Sequence, residues 1–328
     1  MIDLAPGTDG ERASPQLAGL RTSSPLPLPS PGPARPVWWL TALAVVLAAA
    51  AMAYNHGQHV QRQGLELQAV AALRATQVAA WFEERLAQAR FAQGSTRWAD
   101  LYKRWQDQGD IAARDQLLSR VTELRVAFRG HSVLVVDAAG STVLSEHGET
   151  GPAPAPLQRA VQQALALDTV TTTGSYILGS DAATARHDVV APLSAGMGGA
   201  RAALVLRSDP GATLVPMLRS WPTPRQTAVT TLVRREGDQV VGALGRNSQP
   251  VSTPVLLAAR VFRGEATTGV LLEAEDFRGV PIYGVAAGVP GTEWLVVAKI
   301  DRAEVLAASL RDAAWIGGVA AMLLGPVA

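Results

Sequence analysis

The chain has 328 residues, with Lys+Arg 29 against Asp+Glu 28, a net charge of +1, 17% charged residues and a mean hydropathy of +0.13. That balance offers no basic field for nucleic acid, and the charged fraction lies below the roughly 25% of an average domain. Cysteine is absent, which excludes disulfide frameworks, thiolate metal sites, iron–sulfur clusters and cysteine nucleophiles.

The missing charge is accounted for mainly at the two ends. Residues 1–36 form a short Pro/Ser-rich tail with Pro25, Pro27, Pro29, Pro31, Pro33 and Pro36; it cannot bury a core and is expected to be disordered. Residues 37–54 carry no charge and have Trp38, Trp39 and Tyr54 at their ends. As a helix this stretch spans about 27 Å, close to a ~30 Å hydrocarbon core, and its terminal aromatic rings suit the interface. The segment predicts a transmembrane helix retained as an anchor; the alternatives are a buried core helix or a cleaved signal peptide.

Beyond it, Leu67, Val70, Ala71, Val78, Trp81, Phe82, Leu86 and Ala89 recur at three- and four-residue steps, with a gap at Arg74. This predicts a long amphipathic helix from 57 to 93, ended by Gly94-Ser95. Two shorter helices follow, one with Trp98, Leu101, Tyr102 and Trp105 on one side, the other over Ile111–Leu124. The pattern then turns to strands. Val133–Val136, a turn at Asp137–Gly140 and Thr142–Leu144 predict a hairpin. A Pro/Ala linker leads into a helix at Leu157–Leu167, and strands are expected at Val170–Leu178, Asp188–Leu193 and Ala200–Leu206.

The same order recurs. A linker helix at Ala212–Trp221 precedes a hairpin of Thr227–Arg234 and Gln239–Leu244, a short apolar stretch at Leu256–Val261, and strands at Gly269–Glu273, Val280–Ala287 and Trp294–Ile300. The two halves end alike, Leu204-Val205-Leu206-Arg207-Ser208-Asp209 beside Val296-Val297-Ala298-Lys299-Ile300-Asp301, which predicts two tandem copies of one sheet module. Residues 313–328 are again free of charge, about 24 Å long as a helix, and predict a second transmembrane helix cut short. The fold class is therefore α+β, divided into a tail (1–36), a span (37–54), a long helix with a membrane-distal module (57–210), a membrane-proximal module (211–312) and a second span (313–328).

An anchor, a long helix, two PAS-like antiparallel sheets and a return helix resemble the double Cache sensor regions of bacterial transmembrane receptors. The specific stretch is Asp276-Phe277-Arg278-Gly279-Val280-Pro281-Ile282-Tyr283-Gly284, followed by Val289-Pro290-Gly291-Thr292-Glu293-Trp294 and the strand to Asp301. It is similar to the closing pattern of the membrane-proximal module. Asp137-x-x-Gly140 and Ala191-Pro192-Leu193 look like the distal counterparts. The resemblance implies that residues 57–312 lie in the periplasm, anchored in the cytoplasmic membrane, with the Pro-rich tail in the cytoplasm. It further implies a small-molecule ligand held by the distal module, a homodimer paired through the long helices, and a histidine kinase or diguanylate cyclase output beyond the second span. The chain would then be a fragment of a receptor.

No P-loop, nucleophile elbow, kinase His-box or cyclase motif is present, so no catalytic residue, cofactor or metal ligand is assigned. His56-x-x-His59 sits at the membrane edge without a nearby carboxylate, so interfacial polar residues rather than a metal site are expected there, and His187 and Asp188 point to opposite faces of one strand. Candidate ligand contacts are Trp98, Tyr102 and Trp105 as aromatic walls, and Tyr176, Arg186 and Asp188 around the loop Gly179–Ala185. Among these, an arginine suits a carboxylate and an aspartate an ammonium. Amino-acid-binding members of the family carry a spaced Tyr, Arg, Trp-Tyr and Asp pattern, from which Arg97-Trp98-Ala99 departs. The reading is an extracytoplasmic ligand-sensing region of a signal-transduction receptor. The alternatives are a membrane-anchored assembly protein or an anchored periplasmic enzyme.

Overall fold

The structure, a computed structural model, describes residues 35–128, 132–177, 185–193, 201–242, 248–250, 253 and 256–324. The chain divides into two units, Met1–Leu47 and Ala48–Ala328. A helix of 59 residues, α1 (Arg35–Gln93), begins in the first unit and supplies the spine of the second. It is followed by α2 (Thr96–Gln108) and α3 (Ile111–Phe128).

The distal module then runs β1 (Ser132–Asp137), β2 (Ser141–Ser145), β3 (Gly151–Pro152), α4 (Ala155–Leu167), β4 (Thr171–Ile177), β5 (Ala185–Leu193) and β6 (Ala202–Ser208). The proximal module runs α5 (Pro210–Arg219), β7 (Val229–Glu236), β8 (Gln239–Gly242), β9 (Ser248–Pro250), α6 (Leu257–Phe262), β10 (Leu272–Glu275), β11 (Pro281–Gly288) and β12 (Trp294–Asp301). The return helix α7 (Arg302–Leu324) closes the chain.

Each module is one six-stranded sheet. The orders are β3-β2-β1-β6-β5-β4 and β10-β11-β12-β7-β8-β9, which are the same order read from opposite edges. In both, the first strand pairs antiparallel with the last: Ser132 opposes Arg207 and Val229 opposes Lys299. The tandem repeat expected from the sequence is therefore a repeat of topology. The short edge strands β3 and β9 were not expected; both involve proline, which contributes no N–H to a ladder and belongs at an edge. The Asp-x-x-Gly turns are locally alike but not topological counterparts. Asp137–Gly140 joins β1 to β2, whereas Asp276–Gly279 joins β10 to β11. In each, the glycine takes positive φ (+83° and +73°) and donates its N–H to the aspartate carbonyl, a conformation that excludes most side chains.

The distal sheet is buried on both faces. Val133, Val135, Val189, Ala191, Leu204 and Leu206 pack with α1, α2 and α3. Leu134, Val136, Val190, Ala203 and Val205 pack with α4. This is the strand alternation of period two, read on two covered faces. The proximal sheet packs Leu232, Trp294 and Val296 on α1 and α5, and Val233, Ala286, Leu295 and Val297 on α6. Arg74, the gap in the α1 pattern, lies on the buried face. Its guanidinium donates to the carbonyl and the hydroxyl of Ser220, just past α5.

The segments expected to span a membrane, 37–54 and 313–328, fall in α1 and α7. Among the described residues no helix is long and apolar enough to cross a membrane. The Pro-rich tail, apart from its last residues at the start of α1, lies outside the described residues.

His187 on β5 is wedged against α1, its ring 4.9 Å from Phe82 and 5.6 Å from Trp81 between centroids. Burial lowers its pKa from 6.5 to about 4. The unfolded chain takes up this proton near pH 6.5 and the folded chain only near pH 4. Its contribution is therefore complete above pH 6.5 and falls through that window by roughly 3 kcal/mol. Urea unfolding followed between about pH 7 and pH 4.5 should lose stability accordingly, and His187→Phe should flatten the profile. An unchanged slope in the variant would assign the proton uptake to another group.

Candidate functional site

Three side chains meet on the α4 face of the distal sheet. Asp188 is fully buried on β5. It stands opposite Arg207 of β6 in the strand register, so their side chains share one face. Arg207 donates from Nε to Asp188 Oδ1 (3.0 Å) and from Nη2 to Oδ2 (3.1 Å). This is the bidentate fork that makes arginine–carboxylate pairs strong. Tyr176 of β4 is diagonal to Asp188, because its register partner is Arg186. Its hydroxyl donates to Asp188 Oδ2 at 2.6 Å and receives Arg207 Nη2 at 3.2 Å. Glu149 lies 4.0 Å from Arg207 Nη1, and the Asp188 N–H donates to Thr173 Oγ1 at 3.1 Å.

The electrostatics follow from burial. Burial, with the Asp188 carboxylate alongside, pushes the Tyr176 phenol up, so it remains a neutral donor. For Arg207, burial works against the charge, but its bonds and attraction to Asp188 outweigh it and raise its pKa. The cluster is thus a closed, neutral ion pair with a phenol.

The six sequence candidates do not form one site. Tyr176 and Asp188 come together. Arg186 instead pairs with Asp209 (3.4 Å), which caps α5 by accepting the Ala212 N–H. Trp98 and Tyr102 are buried on α2, with Trp105 half-buried beside them, its ring 6.0 Å from that of Tyr102 and stacked by Arg114. These three pack on the opposite face of the sheet from Asp188, and burial pushes the Tyr102 phenol up to about 12. The loop expected at Gly179–Ala185 lies outside the described residues except for Ala185, which begins β5.

The residue of the cluster that the sequence did not single out is Arg207. Its signal was a lone charge in an otherwise apolar strand, at the position that Lys299 holds in the second copy. Lys299 in turn reaches Asp276 at 2.5 Å. That carboxylate also accepts the N–H groups of Arg278 and Val280 and the Arg278 guanidinium. Burial would raise the Asp276 pKa, but these bonds dominate and hold it at about 2. Both modules therefore neutralise a buried cation at the same register with an aspartate from the neighbouring hairpin. Among the described residues no three His, Asp or Glu side chains could hold a metal ion.

Two curled antiparallel sheets hung on one long helix have the form of tandem Cache modules. The ligand-binding domain of the Campylobacter jejuni chemoreceptor Tlp3 in complex with 4-methylisoleucine is similar, with a TM-score of 0.52 at 9% identity over 76% of this chain and 94% of that one. The extracellular domain of the putative histidine kinase mmHK1S-Z3 is similar with a TM-score of 0.50 at 14% identity, over 79% of this chain and 98% of that one. No family model and no curated protein matches the sequence.

Removing one partner of a buried ion pair strands the other. Asp188→Asn is expected to destabilise the protein by about 3–5 kcal/mol, and Tyr176→Phe by about 1–2 kcal/mol. Replacing Asp188 and Arg207 together by leucine and methionine should cost less than Asp188→Asn alone, because no unpaired charge remains. Chemical denaturation of the three variants checks this ordering; equal losses for the single and double replacements would mean the pair is not coupled.

Proposed function

We propose that the chain is the ligand-sensing region of a bacterial membrane receptor, with residues 57–312 outside the cytoplasmic membrane and the distal module holding a small zwitterionic ligand. The observation that carries this is the Tyr176–Asp188–Arg207 cluster, buried in the distal copy of a duplicated sheet. Its two opposite charges are placed to trade one another for the ammonium and carboxylate of a ligand. The similarity to a chemoreceptor domain in complex with 4-methylisoleucine supports the ligand class. Trp98, Tyr102 and Trp105 support the site from behind the sheet, and Arg186 ties it to α5.

Anchoring by 37–54 and 313–328 is part of the proposal. Its support is the absence of charge in 37–54 and the exposure of Trp39, Leu43, Val45, Val46, Leu47 and Tyr54, a set that water-soluble surfaces do not carry together. On α7, Trp315 and Met322 are exposed in the same way. At the membrane-proximal end His56 Nδ1 meets Ser309 Oγ at 3.1 Å and His59 Nε2 meets Asp312 Oδ2 at 2.8 Å, so α1 and α7 leave the modules side by side. A ligand that favours one packing of the distal module biases these helices by its differential affinity for the two states. The signal then passes to an output domain of histidine kinase or diguanylate cyclase type. Exposed Leu65, Leu73 and Phe91 on α1 support a homodimer paired along that helix.

The test is a thermal-shift screen of the chain against the common amino acids and related zwitterions. A ligand at 100 times its Kd should stabilise the fold by about 2.7 kcal/mol, and Asp188→Asn should abolish the shift. A screen without a stabiliser, or a shift that survives substitution of both Asp188 and Arg207, would sink the proposed site.

A further inference from the structure

The proximal sheet carries hydroxyls where its copy carries core. Ser132 opposes Arg207 and Val229 opposes Lys299, so counting along the strands sets Val133 and Leu134 of β1 against Thr230 and Thr231 of β7. Val133 and Leu134 are buried among apolar side chains. Thr230 is buried as well, at 4% exposure, yet its Oγ1 has no hydrogen-bond partner among the described residues. A buried hydroxyl without a partner is costly, and the valine of the other copy occupies nearly the same volume without that cost.

Thr230 borders a cleft of about 300 Å³ between the end of α5 and the first half of β7, a volume at the lower end of small-molecule pockets. Val215, Leu218, Val229, Val233 and Phe277 give it apolar walls. β8 pairs with β7 only from Val233, against Gly242, so residues 229–232 have a strand neighbour on the β12 side alone among the described residues. Arg219, the last residue of α5, lines the same cleft. It is exposed, and its guanidinium makes no hydrogen bond or ion pair among the described residues.

We propose that this cleft is a second ligand site, taking a small carboxylate with a branched aliphatic tail. The Arg219 guanidinium binds the carboxylate, the Thr230 hydroxyl donates to one of its oxygens, and the apolar walls take the tail. A ligand there braces α5 against β7. Because α5 directly follows β6 and is capped by Asp209, which also holds Arg186 of β5, occupancy of the proximal cleft reaches the distal sheet through one short helix.

The probe is sodium 3-methylbutanoate, titrated calorimetrically into the full chain in lipid nanodiscs. Saturable binding at millimolar concentration is expected, with no binding of uncharged 3-methylbutanamide. Arg219→Gln and Thr230→Val should each weaken it by about tenfold or more, and Thr230→Val should not lower the thermal midpoint, since valine packs at the matching position of β1. Asp188→Asn, read at a temperature where the variant is folded, should leave 3-methylbutanoate binding intact, which separates this cleft from the distal site. Absence of saturable binding, binding that survives both cleft substitutions, or binding lost with Asp188→Asn overturns the inference.

Discussion

One buried stripe on α1 holds the two sheets together. Leu67, Val70 and Ala71 pack against β11, β12 and α7. Ala75, Val78, Ala79, Trp81 and Phe82 pack against α5 and the proximal sheet. Ala89 and Ala92 pack against the distal sheet and its helices. A fully buried Val, Leu or Phe side chain contributes about 1.5–3 kcal/mol, and here those contributions come from three clusters on one rigid element. Neither sheet could leave the helix without exposing a contiguous apolar face. Phe82 sits at the seam, edge-on to both His187 of the distal sheet and Trp294 of the proximal one. Movement of either sheet is therefore felt on the same turn of α1.

Within that frame each module carries a polar fault in an apolar strand. Arg207 and Lys299 occupy matching positions, and each is neutralised by an aspartate. Such pairs are weak contributors to net stability, because desolvation offsets most of the attraction. What they do fix is the register, since a slip of either strand would leave a buried charge unpaired. The distal pair is the more completely enclosed, with Asp188 at 0% exposure and a phenol donating to its carboxylate as well. In the proximal pair Arg278 reaches out to solvent and to Asp301 at 3.0 Å. The two copies thus keep one device and differ in how far it is sealed from water.

The topology was largely legible in the sequence, because hairpin turns and strand alternation are local signals and the module is repeated. The long helix was legible from its three- and four-residue spacing. What periodicity could not give was the meaning of its gap: Arg74 is an inward contact whose partner, Ser220, is 146 residues away. The site was only half legible. Tyr176 and Asp188 share a face through a register that shifts between Thr172 and Ser175, which no spacing rule anticipates. Arg207 reads as a strand-end charge until β5 is placed beside β6. The aromatic set on α2 lies across the sheet from Asp188 because residue type does not say which face of a sheet a helix covers.

The segment between α5 and β7 is tied to α1 and α7 by polar contacts, beside Trp221 and Ala228, which pack on the cluster around Leu67 and Val70. Arg74 of α1 holds Ser220, and Glu66 of α1 holds Thr223 and Arg225, the latter at 2.9 Å. On the other side, Glu304 in the first turn of α7 accepts the N–H groups of Gln226 (3.2 Å) and Thr227 (2.8 Å), and Thr227 Oγ1 accepts the Asp301 N–H. The strap therefore runs from one helix to the other through hydrogen bonds, with only Trp221 and Ala228 adding partly buried apolar contact. Exposed or half-exposed polar contacts are individually weak and re-form in new registers, whereas a packed core resists small displacements. A shift of α5 relative to β7 is absorbed in the strap first. Because its two ends are fixed to α1 and α7, what the strap absorbs is a displacement of one outgoing helix against the other.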